Sequence, residues 1–189
     1  HAVAHLLDSY CVLNSGSALG RGCGPLLIGK EKMSIAKLTH KKIAIPGTYT
    51  TAALLFRMFA PESTSLVEMR FEQIIDAVAS GAVDAGVIIH ESRFTYAQAG
   101  LVCLQDLGQW WEESFDAPLP LGCIAVKRAL QPSQREEIDR RIGASLHWAR
   151  THPERCHSFI KQYAQETEDT VIDQHIELYT QIKSETDPA

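Results

Sequence analysis

The sequence lacks the features that mark nucleic-acid-binding and membrane-spanning proteins. It contains no run of lysine or arginine, and its formal net charge is -5, whereas nucleic-acid-binding surfaces are strongly basic. No apolar stretch approaches about 18 residues, the length that predicts a membrane-spanning helix. No secretory signal is visible, although the chain starts at His1 without an initiator methionine. Composition therefore argues against nucleic-acid and membrane partners.

The motifs of several common catalytic and metal sites are also missing. There is no GxSxG nucleophile turn, no HExxH and no CxxC pair. The five cysteines are odd in number, and we interpret them as reduced core thiols of a cytoplasmic protein. The segment GPLLIGK, residues 24–30, formally satisfies GxxxxGK, but its middle is an apolar strand and Glu31 replaces the Ser or Thr that would bind Mg²⁺. No metal site is predicted.

What remains is an ordinary globular composition in which strands alternate with helices. The 189 residues are 45% hydrophobic and 22% charged, enough for one large domain or two small lobes. Apolar segments at Leu26–Ile28, Lys42–Ile45 and Val83–Ile89 predict strands, and helical spacing follows Thr50 and Phe71. This alternation predicts an α/β fold with mostly parallel sheets, in which ligands collect at the carboxyl ends of strands.

The last third of the sequence predicts helices. Ser133 with Glu136 has the spacing of a capping box, and Pro153 is placed to start a second helix. A final helix is expected from about Glu168 to about Ile182, with apolar residues along one side. Before these helices, Gly122–Val126 predicts a strand.

Two segments are candidate anion sites. In PGTYTTAA, residues 46–53, Thr50, Thr51 and Ala52 open a helix, where free N–H groups and the helix dipole suit a carboxylate or phosphate. The alternative is a threonine that serves only as an N-cap. In the glycine-rich turn SGSALGRGCGP, residues 15–25, Arg21 could meet an anion, although an exposed loop arginine is the commoner case.

His90 is the candidate catalytic residue. In GVIIHESRFTY, residues 86–96, it directly follows an apolar strand. An imidazole takes up and releases a proton near neutral pH, which suits a general base. The alternative is a half-buried histidine that forms local hydrogen bonds, and spacing alone leaves both interpretations open.

The segments ALGRGCGPLLI, PGTYTTA, SGAVDAGVIIHESRFTY, DLGQWWEE and PLPLGCIAVKR occur in this order. Together they resemble the 1,4-dihydroxy-6-naphthoate synthases, the cleavage enzymes of the futalosine route to menaquinone. The resemblance extends from about Ala2 to about Tyr179, and HESRFTY and LGRG are its most specific segments. It implies a type II periplasmic-binding-protein-like fold with two α/β lobes around a cleft.

The resemblance also suggests lobe boundaries. We expect chain crossings near Leu27 to Lys30 and near Gly122, so that residues 29–121 form lobe II and residues 1–28 with 122–189 form lobe I. Family members carry a substantial N-terminal segment that is not present here, and lobe I is therefore expected to be incomplete. Because missing strands expose sheet edges and apolar surface, we expect the isolated chain to be poorly soluble and nearly inactive.

The chemistry implied by the resemblance is cofactor-free cleavage of a small-molecule substrate in the cytoplasm. The family converts cyclic dehypoxanthine futalosine to 1,4-dihydroxy-6-naphthoate and a small sugar-derived fragment. Its catalytic histidine matches His90, and its ligand contacts match Thr51 and Ala52, with Thr50 beside them. A closing cleft would exclude water and position the base. The alternatives are a solute-binding module of the same fold and a sister enzyme of the same pathway.

Overall fold

The computed structural model describes residues 1–63, 65–90 and 92–163, and the chain divides into two compact units. Unit 1 comprises His1 and Gly20–Leu119, and unit 2 comprises Ala2–Leu19 and Pro120–Ala189. The second boundary lies close to the crossing expected near Gly122. The first boundary differs from the crossing expected near Leu27 to Lys30, because that segment is already hydrogen-bonded into the sheet of unit 1.

The described strands are short and mostly coincide with the apolar segments of the sequence. They are β1 (Tyr10–Val12), β2 (Ala18–Gly20), β3 (Leu26–Gly29), β4 (Ile43–Ile45), β5 (Leu66–Glu68), β6 (Ala85–Ile88), β7 (Val102–Asp106), β8 (Leu119–Gly122) and β9 (Ala125–Lys127). The single strand expected over Gly122–Val126 is wrong, since β8 ends at Gly122, β9 begins at Ala125, and Cys123 and Ile124 lie between the two strands.

The described helices follow the strands in alternation. They are α1 (Ile35–Leu38), α2 (Thr51–Phe59), α3 (Ile74–Ser80), α4 (Ser92–Thr95), α5 (Leu107–Phe115), α6 (Pro132–Thr151) and α7 (Pro153–Tyr163). Short 3₁₀ turns lie at Ala2–His5, Phe71–Gln73 and Tyr96–Ala99. Helix α7 begins at Pro153, which confirms the prediction that this proline starts a second helix. The final helix expected over Glu168–Ile182 lies outside the described residues.

Unit 1 is built on a five-stranded mixed sheet in the order β5-β4-β6-β3-β7. Strand β4 runs parallel to β5 and β6, whereas β3 runs antiparallel to both β6 and β7. The expectation of a mostly parallel sheet is thus correct for the β5-β4-β6 part and wrong for the contacts of β3. The reason is that β3 enters the sheet at the edge where its neighbours end, because Leu26 pairs with both Ile88 and Asp106.

The core of unit 1 lies between this sheet and helices α2 and α3. Ile74 and Val78 of α3 are fully buried in one cluster with Leu26, Ile28 and Ile88 of the sheet. On α2, Leu55 and Phe56 are also buried. Because helices α2 and α3 pack on the sheet in this way, the turns described below are attached to the ends of well-packed strands.

Unit 2 combines a two-stranded antiparallel sheet of β1 and β9 with helices α6 and α7. The expected capping box at Ser133 and Glu136 is wrong. Helix α6 begins two positions earlier than that box implies, at Pro132, so its N-cap is Gln131, which exchanges hydrogen bonds with Gln134 in a reciprocal box. Ser133 therefore lies inside the first turn, where its side chain cannot serve as the cap.

Candidate functional site

Strand direction brings several turns of unit 1 to one edge of its sheet, which we call the carboxyl edge. The parallel strands β4, β5 and β6 all end there. Because β3 is antiparallel and pairs Leu26 with Ile88 and Asp106, it begins at this edge and β7 ends there. The carboxyl edge therefore gathers the turns that lead into α2, into α5 and into β3, together with the turn that contains His90.

His90 lies at this edge, two residues after the end of β6, in an unusual backbone conformation. Its φ angle is 55°, in the left-handed region that residues other than glycine seldom occupy. The residue is exposed, which differs from the half-buried alternative, and its ring meets the Phe71 ring edge-on with centroids 5.2 Å apart. Such outliers concentrate at functional sites, and an exposed imidazole can reach a bound molecule.

Thr50 is the N-cap of α2. Its hydroxyl accepts a hydrogen bond from the Ala53 N–H at 3.1 Å and donates one to the Gly47 carbonyl at 2.7 Å. The N-cap alternative is thus correct for this side chain. Thr51 and Ala52 occupy the first helical positions, where the positive end of the helix dipole favours an anion. For a ligand, the candidate contacts are therefore main-chain groups rather than the Thr50 hydroxyl.

The turn before α2 is held by a carboxylate at the end of β5. Both the N–H and the hydroxyl of Thr48 donate to Glu68 Oε2, at 2.9 and 2.6 Å, and Arg57 Nη1 donates to the Thr48 carbonyl at 3.0 Å. The hydrogen bond from the Thr48 hydroxyl, followed by that from its N–H, lowers the pKa of Glu68. The ionised carboxylate therefore fixes the shape of this turn.

Arg21 does not join the other predicted site residues. Its exposed guanidinium lies beside Asp116, with Nη1 3.6 Å from Oδ1 and Nη2 donating to the carbonyl at 3.4 Å. Asp116 is the C-cap of α5, a helix about 13 Å long that starts at the carboxyl edge. Arg21 therefore lies at the end of α5 that is remote from His90.

Arg93 and Asp106 form a polar cluster that the sequence analysis did not single out. Arg93 Nη1 donates to the Gly24 carbonyl at 2.8 Å, and Nη2 lies 3.4 Å from Asp106 Oδ2. Asp106 also caps α5 by accepting from the N–H groups of Gly108 and Gln109. The cap was detectable as an aspartate between a predicted strand and helix, whereas no local signal pairs Arg93 with Asp106.

Cysteine and metal chemistry have little support at this edge. Cys23 is buried, and burial raises the pKa of its thiol, which opposes formation of the nucleophilic thiolate. All five cysteines are free. Within residues 1–63, 65–90 and 92–163, no group of three or more histidine, cysteine or acidic side chains could hold a metal ion.

None of the helices in those ranges is long and apolar enough to cross a membrane.

Comparison with known proteins identifies the family. A family model described as menaquinone biosynthesis matches residues 1–187. The chain belongs to this family. A family relative from Thermus thermophilus, named as a 1,4-dihydroxy-6-naphthoate synthase, is 42% identical over 178 residues, or 94% of this chain. One of the same name from Streptomyces coelicolor is 40% identical over 180 residues, or 93% of this chain. The chain spans only 64% and 63% of their respective lengths.

Solved structures agree with this family membership and identify the fold. A crystal structure of an Archaeoglobus fulgidus protein matches with a TM-score of 0.87 and 38% identity, covering 95% of this chain and 66% of that one. A periplasmic sulfonate-binding protein from Methylobacillus flagellatus matches with a TM-score of 0.58 and 18% identity, covering 91% of this chain and 53% of that one. The second similarity shows the fold alone. The expected periplasmic-binding-protein-like α/β fold of this family member is confirmed.

Proposed function

We propose that this protein is a carbon–carbon lyase that forms 1,4-dihydroxy-6-naphthoate from cyclic dehypoxanthine futalosine in menaquinone biosynthesis. The names of the relatives from Thermus thermophilus and Streptomyces coelicolor support the product. The substrate and the catalytic residues are inferred from the sequence motifs and from the chemistry available at the carboxyl edge. The proposal covers the whole activity, although the chain spans about two thirds of those relatives.

The observation that carries the proposal is the position of His90 relative to the start of α2. Both follow neighbouring parallel strands, β6 and β4. Adjacent strands lie about 4.8 Å apart, so the two turns begin within reach of one small substrate. A base and an anion-binding helix start at this separation suit a substrate that has a carboxylate and a proton to lose.

In the proposed mechanism, His90 acts as the general base. Its imidazole removes a proton from the sugar-derived part of the substrate, which starts cleavage of the carbon–carbon bond. The ring system that is left becomes aromatic as the naphthoate forms, which favours the reaction. No cofactor takes part in the proposed step, because proton transfer and bond cleavage need only a positioned base.

The proposed carboxylate contacts are the first-turn amides of α2 at Thr51 and Ala52. The positive end of the helix dipole adds to their attraction for an anion. Thr50 contributes by capping the helix, and Glu68 by fixing the turn before it. Arg21, which pairs with Asp116 at the other end of α5, is proposed as a contact only for a part of the substrate that extends along that helix.

A solute-binding module is the second candidate function. Its support is the similarity of the fold to the sulfonate-binding protein, and a helix start that suits an anion serves a receptor as well as an enzyme. A sister enzyme of the same pathway is a further alternative, which differs only in the substrate that it accepts.

The test is an assay for product. The 189-residue chain and the product of the gene that encodes it are each incubated with cyclic dehypoxanthine futalosine, and naphthoate is followed by absorbance. Formation of 1,4-dihydroxy-6-naphthoate supports the lyase. Tight binding of the substrate without product supports the binding module, and turnover of only an earlier pathway intermediate supports the sister enzyme.

A further inference from the structure

Arg93 connects the turn that contains His90 to two other segments of the carboxyl edge. Its backbone N–H donates to the His90 carbonyl at 3.3 Å. Its side chain is only 13% exposed, and the guanidinium contacts the Gly24 carbonyl and the Asp106 carboxylate. One residue thus meets the His90 turn through its main chain and two further turns through its side chain.

The two partners of the guanidinium are themselves firmly held. Asp106 Oδ1 accepts hydrogen bonds from two amides of α5, at 2.9 and 3.0 Å. At Gly24, a Cβ atom would lie 2.7 Å from the Gly108 Cα, so the glycine-rich turn packs directly on the start of α5. The Leu107 N–H also donates to the Pro25 carbonyl at 3.0 Å. Arg93 is therefore anchored to a packed strand end and helix start.

The His90 turn needs such an anchor because of its backbone conformation. A non-glycine residue at a φ of 55° persists only where its surroundings hold it. The hydrogen bond from the Arg93 N–H holds the His90 carbonyl, and the guanidinium fixes Arg93 itself. The Phe71 ring supports the imidazole at a centroid distance of 5.2 Å.

We propose that Arg93, held by Asp106 and Gly24, is the positioning residue that keeps the His90 imidazole directed at the substrate. It acts through the main chain of the His90 turn and does not touch the reacting atoms. This inference rests on the proposed function, in which His90 is the general base. It adds Arg93, which positions the His90 base, and Asp106, which holds Arg93.

The guanidinium geometry makes the inference testable with conservative variants. Arginine presents a planar fork of donors that can serve two acceptors at once, whereas lysine offers a compact point charge. Arg93→Lys therefore keeps the charge and loses one or both contacts. Asp106→Asn keeps a side chain that caps helices well and removes the carboxylate that faces Arg93. Arg140→Lys is the matched control, because Arg140 pairs with Glu137 on the exposed face of α6.

The first readout is the imidazole signal of His90 in the ¹H–¹³C NMR spectrum of the 189-residue chain or, if that chain is too insoluble, of the product of the gene that encodes it. The signal is identified among the histidine signals by its loss in His90→Gln. We expect it to shift or broaden in Arg93→Lys and in Asp106→Asn and to stay in place in Arg140→Lys. A His90 signal that is unchanged in both test variants overturns the inference. If Arg93→Lys does not fold, Asp106→Asn decides.

The second readout separates kcat from KM in the turnover assay. Misplacement of a catalytic group by about 1 Å costs about 100-fold in rate, so we expect Arg93→Lys to lose about 10- to 100-fold in kcat with little change in KM. A raised KM with an unchanged kcat would instead make Arg93 a substrate contact and overturn the positioning role. If neither the 189-residue chain nor the product of the gene that encodes it forms naphthoate, the proposed function fails, and the NMR signal still decides whether Arg93 positions His90.

Discussion

Gly86 in strand β6 shows how little space the sheet of unit 1 leaves beneath α3. A Cβ atom at this position would clash with the Ile74 side chain and lie 3.0 Å from Val78 Cγ2. The neighbouring β4 residue, Ala44, is fully buried as well, so the strand has no room to shift. The absence of a side chain is therefore what allows α3 to pack on the strand that leads to His90.

We expect Gly86→Ala to lower the free energy of unfolding by about 1–3 kcal/mol, because overpacking a filled core forces side chains and backbone to move. Gly122→Ala is the matched control, since a Cβ there meets its nearest neighbour, Ala18, at 3.9 Å. Urea denaturation of the two variants measures the difference. Equal free energies of unfolding in the two variants would show that the core of unit 1 has room for the added methyl group.

Asp84, just before β6, is the second residue with a measurable signature. The hydrogen bond from the Lys41 ammonium at 2.9 Å, followed by that from the Lys42 N–H, lowers the pKa of Asp84. Because the pKa of this carboxyl is lower in the folded than in the unfolded chain, the carboxylate stabilises the fold at pH values above its unfolded-state pKa of about 3.9. This stabilisation is lost as the pH falls through the depressed pKa.

Asp84→Asn should therefore lower the melting temperature at neutral pH and make it less dependent on pH below about pH 4. Thermal melts of the parent and the variant across the acidic range test this expectation. Asp8→Asn, which removes an exposed carboxylate of unit 2, is the control for a general change of charge. The expectation would be wrong if the melting temperature of Asp84→Asn fell as steeply with decreasing pH as that of the parent.

At the scale of elements, the start of α2 combines a structural cap with the proposed anion site. Thr50→Ala removes the hydroxyl that accepts from Ala53 and donates to Gly47. Loss of such a cap costs about 1 kcal/mol of stability. Thr50→Ser keeps the hydroxyl and should retain most of the parental stability. Denaturant titrations of both variants distinguish the outcomes, and an Ala variant as stable as the Ser variant would refute the capping role.

The sequence predicts elements well where one local feature decides them. Apolar runs located β3, β4 and β6, and a glycine just after a helical pattern signals a helix end, which fits Gly81, the C-cap of α3 with a φ of 82°. The direction of β3 was not predictable, because an apolar run of four buried residues reads the same in a parallel or an antiparallel sheet.

The candidate site residues also divide into those that local sequence indicates and those that only long-range contacts bring together. Local sequence indicates His90 and the start of α2 as candidates, since each lies in a segment that follows an apolar strand. Asp106 and Arg93 are thirteen residues apart in the chain, and Asp116 and Arg21 are farther apart still. The order β6-β3-β7 brings Arg93 and Asp106 to the same edge of the sheet, and the packing of α5 against the glycine-rich turn brings Arg21 to Asp116. No sequence spacing contains either contact.

At the scale of the whole molecule, the two units differ in how much apolar surface they bury. Unit 1 contains fully buried residues on α2, α3 and the central strands. Among the described residues of unit 2, the buried hydrophobic side chains are Leu13 and Val126, and neither α6 nor α7 contains a buried residue. Few buried apolar contacts are the physical mark of a segment that opens at low free energy.

Hydrogen exchange should therefore separate the two units. We expect the amides of β1 and β9 to exchange at least about 10-fold faster than those of β3 and β6 after correction for intrinsic rates, a difference of about 1.4 kcal/mol or more. Mass spectrometry of peptides from each strand measures this. Equal protection in the two sheets would contradict the expected difference.

The most direct test of the central claim compares turnover in His90→Ala and His40→Ala. Both variants lose one exposed imidazole, but only His90 lies at the carboxyl edge. With cyclic dehypoxanthine futalosine as substrate, and with both variants made in the protein that forms naphthoate in the product assay, we expect the His90 variant to bind the substrate and to form naphthoate at least about 100-fold more slowly than the parent, in line with the loss of a general base. The His40 variant should match the parent. Parental turnover by His90→Ala would contradict the account.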